Sequence, residues 1–185
     1  VDLLLPEMQR TRGEIEAMGR TALVYEADVA SYSRAQEVVD EVVGQWGRVD
    51  FLLNNAGRSM PKGLLEISEE EWDRVMQVTL KSVFLCTKYV LPSMLAQGSG
   101  CIINISSGAG GVGPANRSAY AASKHGVMGF TKTLVAEYLR QGIRSHVILP
   151  DATVSRMRSE GFPQEDPATL IQAEDIADAA VFLAT

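Results

Sequence analysis

The chain has 185 residues, 46% of them hydrophobic and 22% charged, with a formal net charge of −6. That is one globular domain's worth of sequence. Its acidic balance argues against a nucleic-acid partner or an anionic membrane surface. No run of 18 apolar residues supplies a transmembrane helix, and Val1–Pro6 has no basic stretch of the kind that opens a signal peptide. Cys86 and Cys101 fall in apolar helix-like and strand-like segments. They read as buried free thiols rather than a disulfide, in keeping with a cytoplasmic protein. No Cys/His cluster has metal-ligand spacing, so no metal site is expected. His125 and His146 are isolated and read as structural or surface residues.

In chain order, Pro6 to Met18 reads as a helix stopped by Gly19, and Thr21 to Glu26 as a short strand leaving through Ala27-Asp28-Val29. Asp28 could simply begin a turn before Ser31, a plausible helix N-cap. Ala35, Val38, Val39, Val42, Val43 and Trp46 then form a helical stripe closed by Gly47. Val49 to Leu53 is the next buried strand, followed by Asn54-Asn55-Ala56-Gly57, whose small residues let a flat ligand approach the backbone. The Asn54 amide could equally tie neighbouring strands together. Ser68 and Glu71 have capping-box spacing. They open a long helix with Trp72, Met76, Thr79, Val83, Cys86, Val90 and Met94 on one stripe. Cys101 to Ile105 is a buried strand, followed by a Gly-rich loop over 108–114 that reads as flexible. The next helix runs to about Leu139 and ends at Gly142, before a further strand over Ile143 to Leu149. Strands near 21–27, 49–53, 101–105 and 144–149 are expected to be parallel, with 49–53 beside 101–105.

Tyr120 and Lys124 lie four apart on the expected helix, which sets them on one face a turn apart. A phenol with a reference pKa of about 10 is a poor proton donor and acceptor near neutral pH. A neighbouring ammonium favours the phenolate. Ser107, thirteen residues before Tyr120, would sit at the C-terminal edge of its strand, where open α/β sheets bind ligands. A Tyr-x-x-x-Lys pair alone is usually a solvated helix face, and the pattern gains weight only from its companions.

Those companions are Asp28-Val29, Asn54-Asn55-Ala56-Gly57 and Asn104-Ile105-Ser106-Ser107, in that order before Tyr120-x-x-x-Lys124. The set resembles the short-chain dehydrogenase/reductase family over nearly the whole chain. The resemblance implies an α/β, Rossmann-like doubly wound parallel sheet in a single domain over 1–185. It implies an oxidoreductase that interconverts an alcohol and a carbonyl on a small molecule with NAD or NADP. Carried onto this sequence, Tyr120 is the general acid/base, Lys124 assists it and holds the nicotinamide ribose, and Ser107 orients the substrate oxygen. Family spacing favours Ser107 over Ser106. Asp28 and Val29 would meet the adenine, and Asn55, Ala56 and Gly57 the adenosine ribose. Thr153, with Ser155, would lie near the nicotinamide amide or a phosphate, and residues 156–167 would form the substrate lid. Thr79 stands where the family has an Asn that positions a relay water, and Asp151 where it has a Gly against the nicotinamide. The long helix implies a homo-oligomer, a dimer or tetramer.

The family sheet has strand order 3-2-1-4-5-6-7, and this sequence is expected to supply strands 3 to 6 only. It shows no Gly-rich phosphate turn before Asp28 and no last strand. It therefore resembles an internal fragment, truncated at both ends and expected to bind cofactor weakly. Within the family, a 3-oxoacyl-carrier-protein reductase is one alternative. A non-catalytic, truncated interaction protein is the other.

Overall fold

The computed structural model describes residues 1–185. Three parallel strands form the sheet, in the order β1 (Phe51–Asn54), β2 (Gly100–Ile105), β3 (Ile143–Ile148). The register sets Phe51 beside Cys101 and Asn54 beside Asn104, and Gly100 beside Ile143. Both neighbours of β2 are parallel, as the spacing of apolar runs and helices required.

β2 is apolar on both faces because both are covered. On one face, Ile102 and Ile143 pack with Val39 of α2 (Tyr32–Trp46), Val90 and Met94 of α4 (Ser82–Gln97) and Leu134 of α5 (Ser118–Tyr138). On the other, Cys101 and Ile103 meet Ala180 and Leu183 of α7 (Ala173–Ala184). This is the two-sided covering of a doubly wound sheet. Phe51 and Leu53 of β1 face the α7 side beyond its reach and stay 38% and 43% exposed. The first helix, α1 (Leu5–Ala17), buries no residue. Both cysteines are free, and Cys101 is buried.

Residues 21–27 do not form a strand. Their only β pairing is a single parallel bridge between Asp2 and Glu26. A strand exists only through a partner's backbone, and one bridge cannot sustain a ladder, whatever the intrinsic preference of the residues.

The expected long helix is interrupted. After α3 (Glu69–Met76), with the anticipated Ser68/Glu71 capping box, the chain makes a π-helical turn over Gln77–Lys81 before continuing as α4. Thr79 sits inside that turn. The Gly-rich segment after β2 is also more ordered than its composition suggests. A 3₁₀ turn over Gly108–Gly110 is pinned by Gly108 N–H donating to Pro150 O at 2.8 Å. Ser31 is an N-cap by position but its side chain makes no cap bond. The start of α2 is fixed instead by Asp28, whose Oδ1 accepts from Ala30 N–H at 2.9 Å. Gly142 has a φ of +85°, and a Cβ there would land on the carbonyl of Gly98. Only glycine fits between α5 and β3.

Candidate active site

The strands end at one edge, and a cleft of about 540 Å³ opens there. Asn55, Ala56 and Gly57 form its wall after β1, and Ser107 its wall after β2. Tyr120 and Lys124 of α5 form the floor, and Pro150 to Ser155 close it after β3. The sheet edge and one face of α5 thus bring together Asn55, Ala56, Gly57, Ser107, Tyr120, Lys124 and Thr153.

Lys124 is 3% exposed. Its Nζ donates to the Ile105 carbonyl at 2.6 Å and lies 5.6 Å from the centre of the Tyr120 ring. An ammonium has three donors. Ile105 takes one, and no other protein acceptor meets it. Burial pushes the Lys124 pKa down to about 8, since the charged form loses water without gaining a carboxylate. Gly57 faces this ammonium, and a Cβ at that position would stand 3.6 Å from Nζ. A buried cation with spare donors beneath a small-residue wall fits a ribose diol, so these residues suit the nicotinamide riboside of NAD or NADP.

Tyr120 is 8% exposed and clusters with Val75 of α3 and Ala119, a group against which Met60, Ile67, Trp72 and Ala109 pack. That packing fixes where its hydroxyl points. The two serines after β2 have separated roles. Ser106 is buried and donates its hydroxyl to the Lys124 carbonyl at 3.0 Å. Gly110 permits this, because a Cβ there would come within 2.5 Å of Ser106 Oγ and 3.1 Å of Lys124 O. Ser107 Oγ instead accepts from Ala109 N–H at 3.2 Å. Its own proton remains free to point into the cleft.

Three expected residues do not line the cleft. Thr79 lies behind the Gly57 wall, where its Oγ1 accepts from Arg58 N–H at 3.0 Å and donates to Arg58 O at 3.3 Å. Asp28 pairs with Arg74 of α3, Oδ2 to Nη1 at 2.9 Å. Burial raises its pKa, but the Ala30 amide and the Arg74 guanidinium outweigh that and hold the carboxyl below its ordinary value. Val29 follows Asp28 outside the cleft. Thr153 donates its hydroxyl to Asp151 O at 2.9 Å, and Ser155 caps α6 (Arg156–Gly161) by accepting from Arg158 N–H at 3.1 Å. Asp151 turns its carboxylate toward Gly108 and is accommodated on the exposed rim.

The Asn54 amide does tie strands together. It donates to Asn104 Oδ1 at 2.8 Å, and Asn104 donates to Thr131 Oγ1 of α5 at 2.9 Å. Sequence reading offered the Asn54 tie but missed its continuation to Thr131 and the end of the cleft formed by Arg117, Arg158 and Phe162. Arg117 carried a usable signal, since it lies three residues before Tyr120 and so shares its helix face. Phe162 and Arg158 carried none.

A family model described as short chain dehydrogenase matches residues 1–166. The chain belongs to the short-chain dehydrogenase family. It is an NAD(P)-dependent oxidoreductase acting on alcohol and carbonyl groups. The dehydrogenase is 37% identical over 180 residues to the 3-oxoacyl-[acyl-carrier-protein] reductase FabG of Staphylococcus aureus, covering 93% of this chain and 73% of that one. It is 34% identical to FabG of Thermotoga maritima, over all of this chain and 76% of the relative. A crystal structure described as a short-chain dehydrogenase/reductase from Burkholderia xenovorans superposes with a TM-score of 0.91 at 29% identity, again over all of this chain and 76% of that one. No helix of the dehydrogenase is long and apolar enough to cross a membrane.

Proposed function

We propose that Ser107, Tyr120 and Lys124 are the reacting groups of this dehydrogenase. The observation that carries the proposal is the buried, partly unpaired Lys124 ammonium beside Tyr120 in the cleft that Ser107 lines. In the reducing direction, the Ser107 hydroxyl donates a hydrogen bond to the substrate carbonyl oxygen and fixes its position. A nicotinamide held over Lys124 and the Asn55–Gly57 wall would supply the hydride to the carbonyl carbon. The Tyr120 hydroxyl gives its proton to the oxygen as negative charge builds there. Lys124, with no carboxylate to neutralise it, stabilises the negative charge left on the tyrosine and offers its remaining donors to the ribose.

Asn55, Ala56 and Gly57 are proposed to receive the adenosine side of NAD or NADP, and Thr153 the nicotinamide end. Asp28 and Val29 are proposed contacts of the adenine. The doubled bonding of Thr79 to the Arg58 backbone supports a positioning role, holding the Asn55–Arg58 wall, rather than that of a water holder. The exposed Phe84 on α4 is consistent with a homo-oligomer built on that helix. The names of the curated relatives favour one substrate class, a 3-oxoacyl thioester on a carrier.

Tyr120→Phe keeps the ring packing and removes only the hydroxyl. Turnover of a carbonyl substrate should fall by about 10²-fold or more, while fluorescence titration with NADH and NADPH gives unchanged affinity for whichever is preferred. Turnover within threefold of the wild type would refute the assignment.

A further inference from the structure

Arg117 lies at the start of α5, one turn before Tyr120, and lines the same cleft. Its guanidinium carbon lies 6.0 Å from the centre of the Tyr120 ring and 4.9 Å from that of Phe162. Its one side-chain hydrogen bond is a long one, Nη1 to Ser59 Oγ at 3.3 Å. No carboxylate lies within ion-pairing distance, although Arg158, which lines the same cleft, is paired. Arg158 covers Phe162 at 4.0 Å while its charge is met by Glu165. The acidic residues of the cleft, Asp2 and Asp151, do not reach Arg117 either. A half-buried guanidinium with its donors nearly all free is thus held between two aromatic rings, one of them the ring of the proton donor.

We infer that Arg117 determines substrate choice by receiving a carboxylate carried on the substrate itself, a few bonds from the carbonyl that Tyr120 protonates. The inference rests on the proposed role of Tyr120, which sets where that carbonyl lies. A guanidinium presents paired donors in a plane that match a carboxylate's two oxygens. Cation–π attraction to Phe162 at 4.9 Å and to Tyr120 at 6.0 Å holds the guanidinium near this place before substrate arrives. The distance selects the kind of anion. A charge only 6.0 Å from the Tyr120 ring centre meets a group attached close to the reacting carbon. The phosphate of a pantetheine arm lies far along the chain from a thioester-linked 3-oxo group and would fall outside this reach. A short oxo acid, or the hydroxy acid it becomes, is therefore the substrate class this cleft favours, in place of the carrier-bound thioester for which the curated relatives are named.

The test compares acetoacetate and levulinate with their ethyl esters and with acetoacetyl coenzyme A, with both reduced nicotinamide cofactors, in the wild type, Arg117→Gln and Arg117→Lys. The wild type should favour each acid over its ester by on the order of 10–10²-fold in kcat/KM, the worth of a charge-assisted hydrogen-bond pair. Arg117→Gln should collapse that ratio, chiefly through KM, and Arg117→Lys should restore part of it. An acid-to-ester ratio near one in the wild type, or a ratio that Arg117→Gln leaves unchanged, would overturn the inference. So would a loss confined to acetoacetyl coenzyme A, which would place the anion on the distant phosphate. Failure of the wild type to turn over any of the five compounds would count against the reactive-site proposal instead. The inference is then decided by saturation-transfer NMR with acetoacetate. Contact in the wild type that is lost in Arg117→Gln upholds it, and equal or absent signals overturn it.

Discussion

Replacing Lys124 with methionine should make the free protein more stable at neutral pH while removing a cation the reaction needs. The ammonium titrates at about 8 rather than 10.5 because it is buried. At about 1.4 kcal/mol per tenfold change, holding it charged costs the folded state about 3 kcal/mol at pH 7. Methionine keeps an unbranched apolar stem of similar length. It leaves the Ile105 carbonyl without its 2.6 Å donor, a loss of about 1–2 kcal/mol. The balance favours the variant by about 1–2 kcal/mol at pH 7. Between pH 8 and 10.5 the unfolded chain still carries the proton that the folded chain has released. Wild-type stability therefore gains on the variant as pH rises, and the burial cost falls to roughly half by pH 9.5. Urea unfolding followed by tryptophan fluorescence at pH 7 and pH 9.5 measures both quantities. A variant less stable than the wild type at pH 7, or a difference that is the same at both pH values, would refute the reasoning. Turnover of the variant should be lost at either pH.

Gly110→Ala should destabilise by about 1–3 kcal/mol, because the new methyl meets Ser106 Oγ and the Lys124 carbonyl at once; thermal unfolding and turnover should fall together, and a variant with native stability would refute the packing described for Gly110. Thr79→Val should cost about 1–3 kcal/mol by stranding the Arg58 amide and should weaken cofactor binding in a fluorescence titration. Lost turnover with unchanged stability and cofactor affinity would restore Thr79 as a water-holding group. Asn104→Leu should cost more than either, since it leaves the Asn54 amide and the Thr131 hydroxyl facing an apolar side chain; a urea midpoint close to that of the wild type would show that the amide chain contributes little.

The fold was legible where the signal is local or set by solvent. Apolar runs flanked by helical stripes located β1, β2 and β3 to within two residues, and Gly47 and Gly142, read as helix stops, both close helical segments in the left-handed conformation. Residues 21–27 misled because strand character in a sequence says nothing about who pairs with it. The π turn at Gln77–Lys81 was invisible because the apolar stripe stays in phase on either side of it. At the site, spacing brought Ser107, Tyr120 and Lys124 into one cleft. Family spacing also preferred Ser107 to Ser106; what the sequence did not hold is the physical counterpart, that the Ser106 hydroxyl is spent on the Lys124 carbonyl, a matter of strand-to-helix distance. Arg117 was passed over because an arginine near a helix start reads as solvated. Its place three residues before Tyr120 was visible in the sequence; that Arg158 is neutralised by Glu165 while Arg117 is not was visible only in the fold.

The Asn54–Asn104 pair does more than join two strands. Asn104 is wholly buried, so its amide oxygen has no substitute partner if the strands mispair. A slip of β1 by one residue would set Leu53 against it and leave that oxygen empty, at about 1–3 kcal/mol, besides reversing which side chains face each covering layer. The pair therefore acts as a key against the alignment that would bring Leu53 there. What the key protects lies a single residue further on, since Asn55 and Ile105 begin the two walls of the cleft. An error of one residue in β1 is about 3.3 Å, enough to carry the Asn55–Gly57 wall away from the Lys124 ammonium that Gly57 faces. Fidelity of the chemistry is thus already determined in the sheet interior, by two amides that never meet a substrate.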